Sequence, residues 1–218
     1  MKRLHKSITA ILARARLAIE NFLKETILQT FLAEYGYDVA RVQVGKDKLV
    51  QVEELDRQQE VAEGKQIGAT NAFNAALKKA KIPLMRYVKI ARILFERGSE
   101  EYDLLDLRGK RKSKFNEWYE QAVYFYKNAL EHPGILAQFA LYNITVEKLQ
   151  AGLLLVEEAN TADQLQESLK GEAQDITEAR DAALKDLQEW LSPFYTAARI
   201  SLEDRPQLLE KMGIPVPS

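Results

Sequence analysis

The chain repeats itself with a period of 107 residues. Shifted by that amount, Tyr35–Arg97 lies over Tyr142–Asp204 without a gap and with 19 identities in 63 positions. The shared runs are ordered. Val39, Gln43 and Gly45 fall on Val146, Gln150 and Gly152; Asp56, Gln59, Glu60 and Gly64 fall on Asp163, Gln166, Glu167 and Gly171. Further on, Ala75–Lys78 matches Ala182–Lys185, and Ala91-Arg92-Ile93 matches Ala198-Arg199-Ile200. An internal period limits a fold more than any single motif, because one structural solution must serve twice. It points to a tandem duplication of a helical-bundle unit, with repeat 1 over residues 1–107 and repeat 2 over 108–218.

Hydrophobic periodicity makes each unit all-α, with three to four main helices and a short C-terminal one. Ile8, Ile11, Ala15, Ala18 and Phe22 follow the three-four spacing of an amphipathic helix, and Phe115, Trp118, Ala122, Phe125 and Ala129 keep it with other side-chain volumes. A short helix follows over 27–35 and 135–142, with Pro133 suited to a first turn. The next helix starts after Asp38 or Thr145, both good N-cap residues. A break or chain reversal is expected at Gly64 and Gly171, before a last long helix that Pro83 or Pro193 kinks or divides. Leucine-rich segments before Gly109 and Gly213 close the units, and the basic stretch 108–114 links them. On this reading Phe22, Phe73, Leu77, Leu84, Tyr87 and Ala91 line the first core. Phe115, Trp118, Phe125, Leu184, Leu191 and Phe194 line the second.

Composition narrows the chemistry. The absence of cysteine excludes disulfides, thiolate metal sites and a cysteine nucleophile. His5 and His132 are the two histidines, they are not equivalent in the repeat, and no Glu has a His three residues on. A di-metal carboxylate site of the helical-bundle kind therefore lacks its ligands, and glycine-rich phosphate loops are missing too. No catalytic residue, cofactor or metal ligand is expected, and the reading leans away from an enzyme. The amphipathic start of the chain matches the middle of the sequence, so it reads as a structural helix; no membrane segment is expected and the cytoplasm is the default.

Three groups of residues remain as candidates for binding. Arg92 with Glu96 and Arg199 with Glu203 recur at matching positions four residues apart, where each arginine could pair with its acid, clamp a neighbouring short helix or hold a ligand. Lys110, Arg111, Lys112 and Lys114 stand at the same end of their repeat as Lys2, Arg3 and Lys6, a basic start to each repeat that nucleic acid could exploit. Tyr124 and its equivalent Leu17 occupy the side of their helix away from the apolar stripe, which suggests a second covered face. These features favour a non-catalytic interaction or scaffold protein with a protein partner or self-association. The alternatives are association with nucleic acid and a small-molecule or enzyme site between the repeats. The net charge of −1, split as +3 and −4 between the repeats, makes nucleic acid the weaker choice.

Overall fold

A computed structural model describes the backbone of residues 2–215 and the side chains of residues 8–215. The histidine at position 5 and the basic residues at 2, 3 and 6 lie outside the described side chains. Among the described residues the fold is all-α, with eight helices and no strand: α1 Lys2–Lys24, α2 Thr26–Ala33, α3 Val39–Leu94, α4 Glu100–Leu104, α5 Phe115–Glu131, α6 Pro133–Ala140, α7 Val146–Ser201 and α8 Pro206–Lys211. Among the described residues no helix is long and apolar enough to cross a membrane.

The caps of the two longest helices form where the sequence places them. Asp38 Oδ1 accepts a hydrogen bond from the Arg41 N–H at 2.8 Å, and Thr145 Oγ1 accepts one from Lys148 at 3.4 Å. The reversals before them use a left-handed residue, Gly36 at φ 78° and Asn143 at φ 56°. There the Tyr37 N–H returns to the Leu32 carbonyl and the Ile144 N–H to that of Phe139. The same closure follows α4 and α8, at Asp106 (φ 44°) and Gly213 (φ 66°).

The expected break at Gly64 and Gly171 does not occur. α3 and α7 each run for 56 residues, straight through these glycines and through Pro83 and Pro193. The glycines that do end or reverse the chain, 36, 98, 109 and 213, have positive φ; Gly64 and Gly171 do not. A glycine inside a helix costs only about 1 kcal/mol relative to alanine. That is too little to break a helix fixed by buried residues on both sides, Ala62 and Ala69 in α3. The prolines likewise remove one hydrogen bond within turns whose neighbours, Ala80 and Leu84 or Leu191 and Phe194, are buried.

Because the long helices continue, the compact units are not the sequence repeats. One unit comprises the chain up to Glu63 together with the chain from Glu172; the other is the continuous segment Gly64–Gly171. This corrects the division at 107/108 as a division of folded bodies, and it corrects both expected cores. In the first unit Phe22, Leu28, Leu32 and Val42 pack with Leu187, Leu191 and Phe194 of α7. The rings of Phe22 and Phe194 meet edge to face at 6.1 Å. α3 and α7 lie antiparallel there, since Lys48 pairs with Asp186 and Asp56 with Arg180. In the second unit Leu84 and Ala91 of α3 join Trp118 and Phe125 of α5 and Phe139 of α6. Leu77 and Tyr87 pack there half-buried, and Phe73 stands edge to face on Phe115 at 5.0 Å.

Each unit has one glycine pressed by an aromatic ring. A Cβ on Gly45 would lie 2.3 Å from the Trp190 ring, and one on Gly152 would lie 2.5 Å from the Tyr126 hydroxyl; at Gly64 and Gly171 nothing lies within 4 Å. These pairs therefore differ in the sign of an alanine substitution. Gly64→Ala and Gly171→Ala are each expected to stabilise the protein by about 0.5–1 kcal/mol. Gly152→Ala must displace the fully buried Tyr126 and should cost about 1–3 kcal/mol. Urea unfolding midpoints of the three variants check the signs; destabilisation by Gly64→Ala would contradict helical backbone at that position.

Candidate functional site

The basic stretch between α4 and α5 is folded against its own acids. The Arg111 side chain is 8% exposed; its Nη2 donates to the Asp106 carbonyl and its Nη1 lies 3.7 Å from the Asp106 carboxylate. Burial pushes the Arg111 guanidinium below its ordinary pKa, opposed by Asp106. Lys112 and Lys114 both approach Glu117, at 3.9 and 3.7 Å, while Lys110 stays exposed. Arg108 forms two hydrogen bonds to Asp103, at 2.9 and 2.7 Å. The cluster expected as a basic surface thus has most of its charge met within the chain.

Arg92 is a clamp. Its Nε donates to the Leu107 carbonyl at 3.1 Å and its Nη2 to that of Gly109 at 2.6 Å, while the Tyr102 hydroxyl also donates to Leu107 at 3.3 Å. Carbonyls left over after α4 thereby gain partners. The expected charge pair with Glu96 is not formed, because the guanidinium is engaged by these carbonyls; Glu96 remains exposed. Arg199 makes no pair with Glu203 either, and its surroundings differ. His132 caps α5 and starts α6 at φ −103°, a junction residue between two helices.

Tyr124 is 48% exposed and Leu17 45%, so the chain does not cover the face expected to be buried. α5 buries Trp118, Ala122, Phe125, Tyr126 and Ala129, and Tyr124 projects from the far side of that stripe. It borders a surface concavity of about 570 Å³ formed with Asp103, Asp106, Lys112, Glu117, Glu120 and Gln121. Asp103, Asp106 and Glu117 already face Arg108, Arg111, Lys112 and Lys114, which leaves Glu120 as the carboxylate of this hollow with no cation beside it among the described residues. Leu17 instead rests on Gly213, with Cδ2 2.8 Å from where a Cβ would stand.

The second concave surface lies wholly in the first unit, between α1 and the last turns of α7. It encloses about 360 Å³, with Ile11 and Leu191 as an apolar floor and Arg14, Tyr195 and Arg199 among its walls. The Arg14 guanidinium lies 4.9 Å from the centre of the Tyr195 ring, and Arg14 Nε is buried without an acceptor. Burial raises the pKa of the Tyr195 hydroxyl, against the pull of Arg14 and Arg199. Sequence reasoning missed this groove. Arg14 belongs to no shared run of the repeat, and its partners are about 180 residues away.

One buried polar pair was also missed. Arg180, 6% exposed, lies 3.7 Å from Asp56 and 2.7 Å from Asp181. The residue matching Arg180 in the repeat is Phe73, so Asp163, which matches Asp56, faces no such cation, and burial raises its pKa with help from Glu167. Among the described residues no three His, Cys, Asp or Glu side chains gather where they could hold a metal ion.

No protein-family model, curated protein or solved structure matches the chain. Function therefore rests on these surfaces alone.

Proposed function

We propose that the chain is a tandem duplication of a 107-residue helical unit and acts as a non-catalytic interaction module of the cytoplasm. The duplication is supported by element bounds as well as by identities: α2 and α6 are both 8 residues long, α3 and α7 both 56, and the members of each pair start 107 positions apart. The observation that carries the interaction reading is the position of Tyr124, half exposed beside the hollow of α5. A tyrosine there offers a large contact area at small entropic cost, with its hydroxyl still near water. Glu120, the carboxylate there without a cation of its own among the described residues, suits a protein partner, or a second copy, that presents a basic residue beside an apolar one. Nucleic-acid association is the weaker reading, because Arg111, Lys112 and Lys114 are turned to Asp106 and Glu117.

Tyr124→Asp tests the reading. The variant should keep its helicity and melting temperature, since the side chain is not in the core, yet lose self-association in light scattering or lose a captured partner. An unchanged oligomeric state together with unchanged partner capture would remove the support for this surface.

A further inference from the structure

The groove between α1 and α7 has a counterpart in the other unit, and the difference between them is informative. The positions 107 residues from Arg14 and Arg199 are Gln121 and Arg92. There the polar groups are taken by the chain itself. Gln121 accepts from the Lys112 N–H at 3.1 Å and donates to Asp106, and Arg92 holds two carbonyls. In the first unit Arg14 and Arg199 have no carboxylate or carbonyl partner among the described residues, and the groove they line contains no acid. Two guanidiniums that line one hollow without a counter-charge set it up for an anion.

We propose that this groove binds a small organic oxyanion, a carboxylate or a phosphate ester with a short apolar body. Guanidinium edges match the oxygen spacing of both groups and can bind them with paired hydrogen bonds. Stacking on Tyr195 occupies the face of Arg14 and restricts its motion, leaving the edges for the ligand. Ser192 and Thr196 stand beside the same hollow, although the Thr196 hydroxyl already donates to the Ser192 carbonyl at 3.1 Å. The Ile11 and Leu191 floor adds an apolar surface that a bare inorganic ion would leave unused. A volume of about 360 Å³ is at the small end of ligand pockets, which limits the body to a ring or a short chain.

The test is an amide-resolved NMR titration of the whole chain with phenylacetate, phenyl phosphate, inorganic phosphate and the neutral phenylacetamide. Phenylacetate or phenyl phosphate should shift the signals of Ile11, Arg14 and residues 191–199, and whichever binds tighter identifies the head group. Phenylacetamide should leave those signals in place, and inorganic phosphate should bind at least about tenfold more weakly than the better phenyl anion. Arg14→Gln, which places at this position the residue the other unit carries, and Arg199→Gln should each weaken binding about tenfold or more with helicity retained. Arg86→Gln, at an exposed position in the other unit, should leave it unaltered. Absence of shifts with both phenyl anions up to roughly 10 mM would overturn the proposal. Equal binding of the amide, or wild-type affinity in both arginine variants, would overturn it as well.

Discussion

The segment 64–171, expressed alone, is expected to fold and melt cooperatively, whereas 1–107 and 108–218, each alone as a monomer, are not. Gly64–Gly171 is a continuous piece of chain holding one compact unit. It carries both sides of its core: Leu84, Val88 and Ala91 from α3, Trp118 and Phe125 from α5, Phe139 from α6, and Leu149 and Val156 from α7. Cutting at 107/108 divides both cores instead. Residues 1–107 keep Phe22, Leu28 and Leu32 but lose Leu187, Leu191 and Phe194, and they strand Leu84 and Ala91 without Trp118. Burial of each large apolar side chain contributes about 1.5–3 kcal/mol, so losing three from one core removes about 4.5–9 kcal/mol, comparable with the whole stability of about 5–15 kcal/mol of a small domain. Calorimetry of the three fragments checks this. A cooperative monomeric transition in 1–107, with none in 64–171, would reverse the assignment of the cores.

Trp118→Ala is the single substitution with the largest expected loss. The indole is 2% exposed, packs 5.9 Å from the Phe115 ring, and has the Lys81 ammonium 5.5 Å from its centre. Truncation removes the largest side chain of the second unit and leaves a cavity that its neighbours fill only in part, at a cost of about 3–5 kcal/mol. Trp190 packs against the core of the first unit and becomes the sole tryptophan of the variant, so its fluorescence reports that unit separately. The loss should appear in the circular-dichroism transition of the second unit. A loss below about 1 kcal/mol would be incompatible with a buried indole.

The sequence made the helices legible because their signals are local. Asp38 and Thr145 cap where an N-cap residue precedes an apolar period, and Pro133 starts α6 in a first turn. The paths of α3 and α7 were not legible. A glycine permits reversal without requiring it, and residue type alone does not separate Gly64 from Gly36, whose φ is 78°. Which core takes Leu84 or Leu191 followed from that one choice, so each long helix was read with the right stripe and the wrong neighbours. Of the three roles left open for Arg92, its contacts are those of a clamp on carbonyls near the short helix. Its repeat mate Arg199 shows why matching positions need not share a task, because Arg14 and Tyr195 stand where the other unit has Gln121 and Val88. Those two differences between the copies were the visible signal of the groove, and they carry meaning only once α1 is known to pack beside the end of α7.

The central claim is that the first half of α3 packs on the second half of α7, and a cysteine pair tests it directly because the chain has no native thiol. Lys48 and Asp186 form an ion pair across the two helices. With both replaced by cysteine, a short bismaleimide should link them within one chain at high yield under dilute conditions. Position 79 is the repeat equivalent of 186 and is where a reversal at Gly64 would bring the chain back to Lys48. A 48/79 cysteine pair should stay unlinked, since the two positions lie 31 residues apart along one continuous helix, beyond the span of a short reagent. Efficient intramolecular linkage of 48 to 79, with none between 48 and 186, would contradict the account.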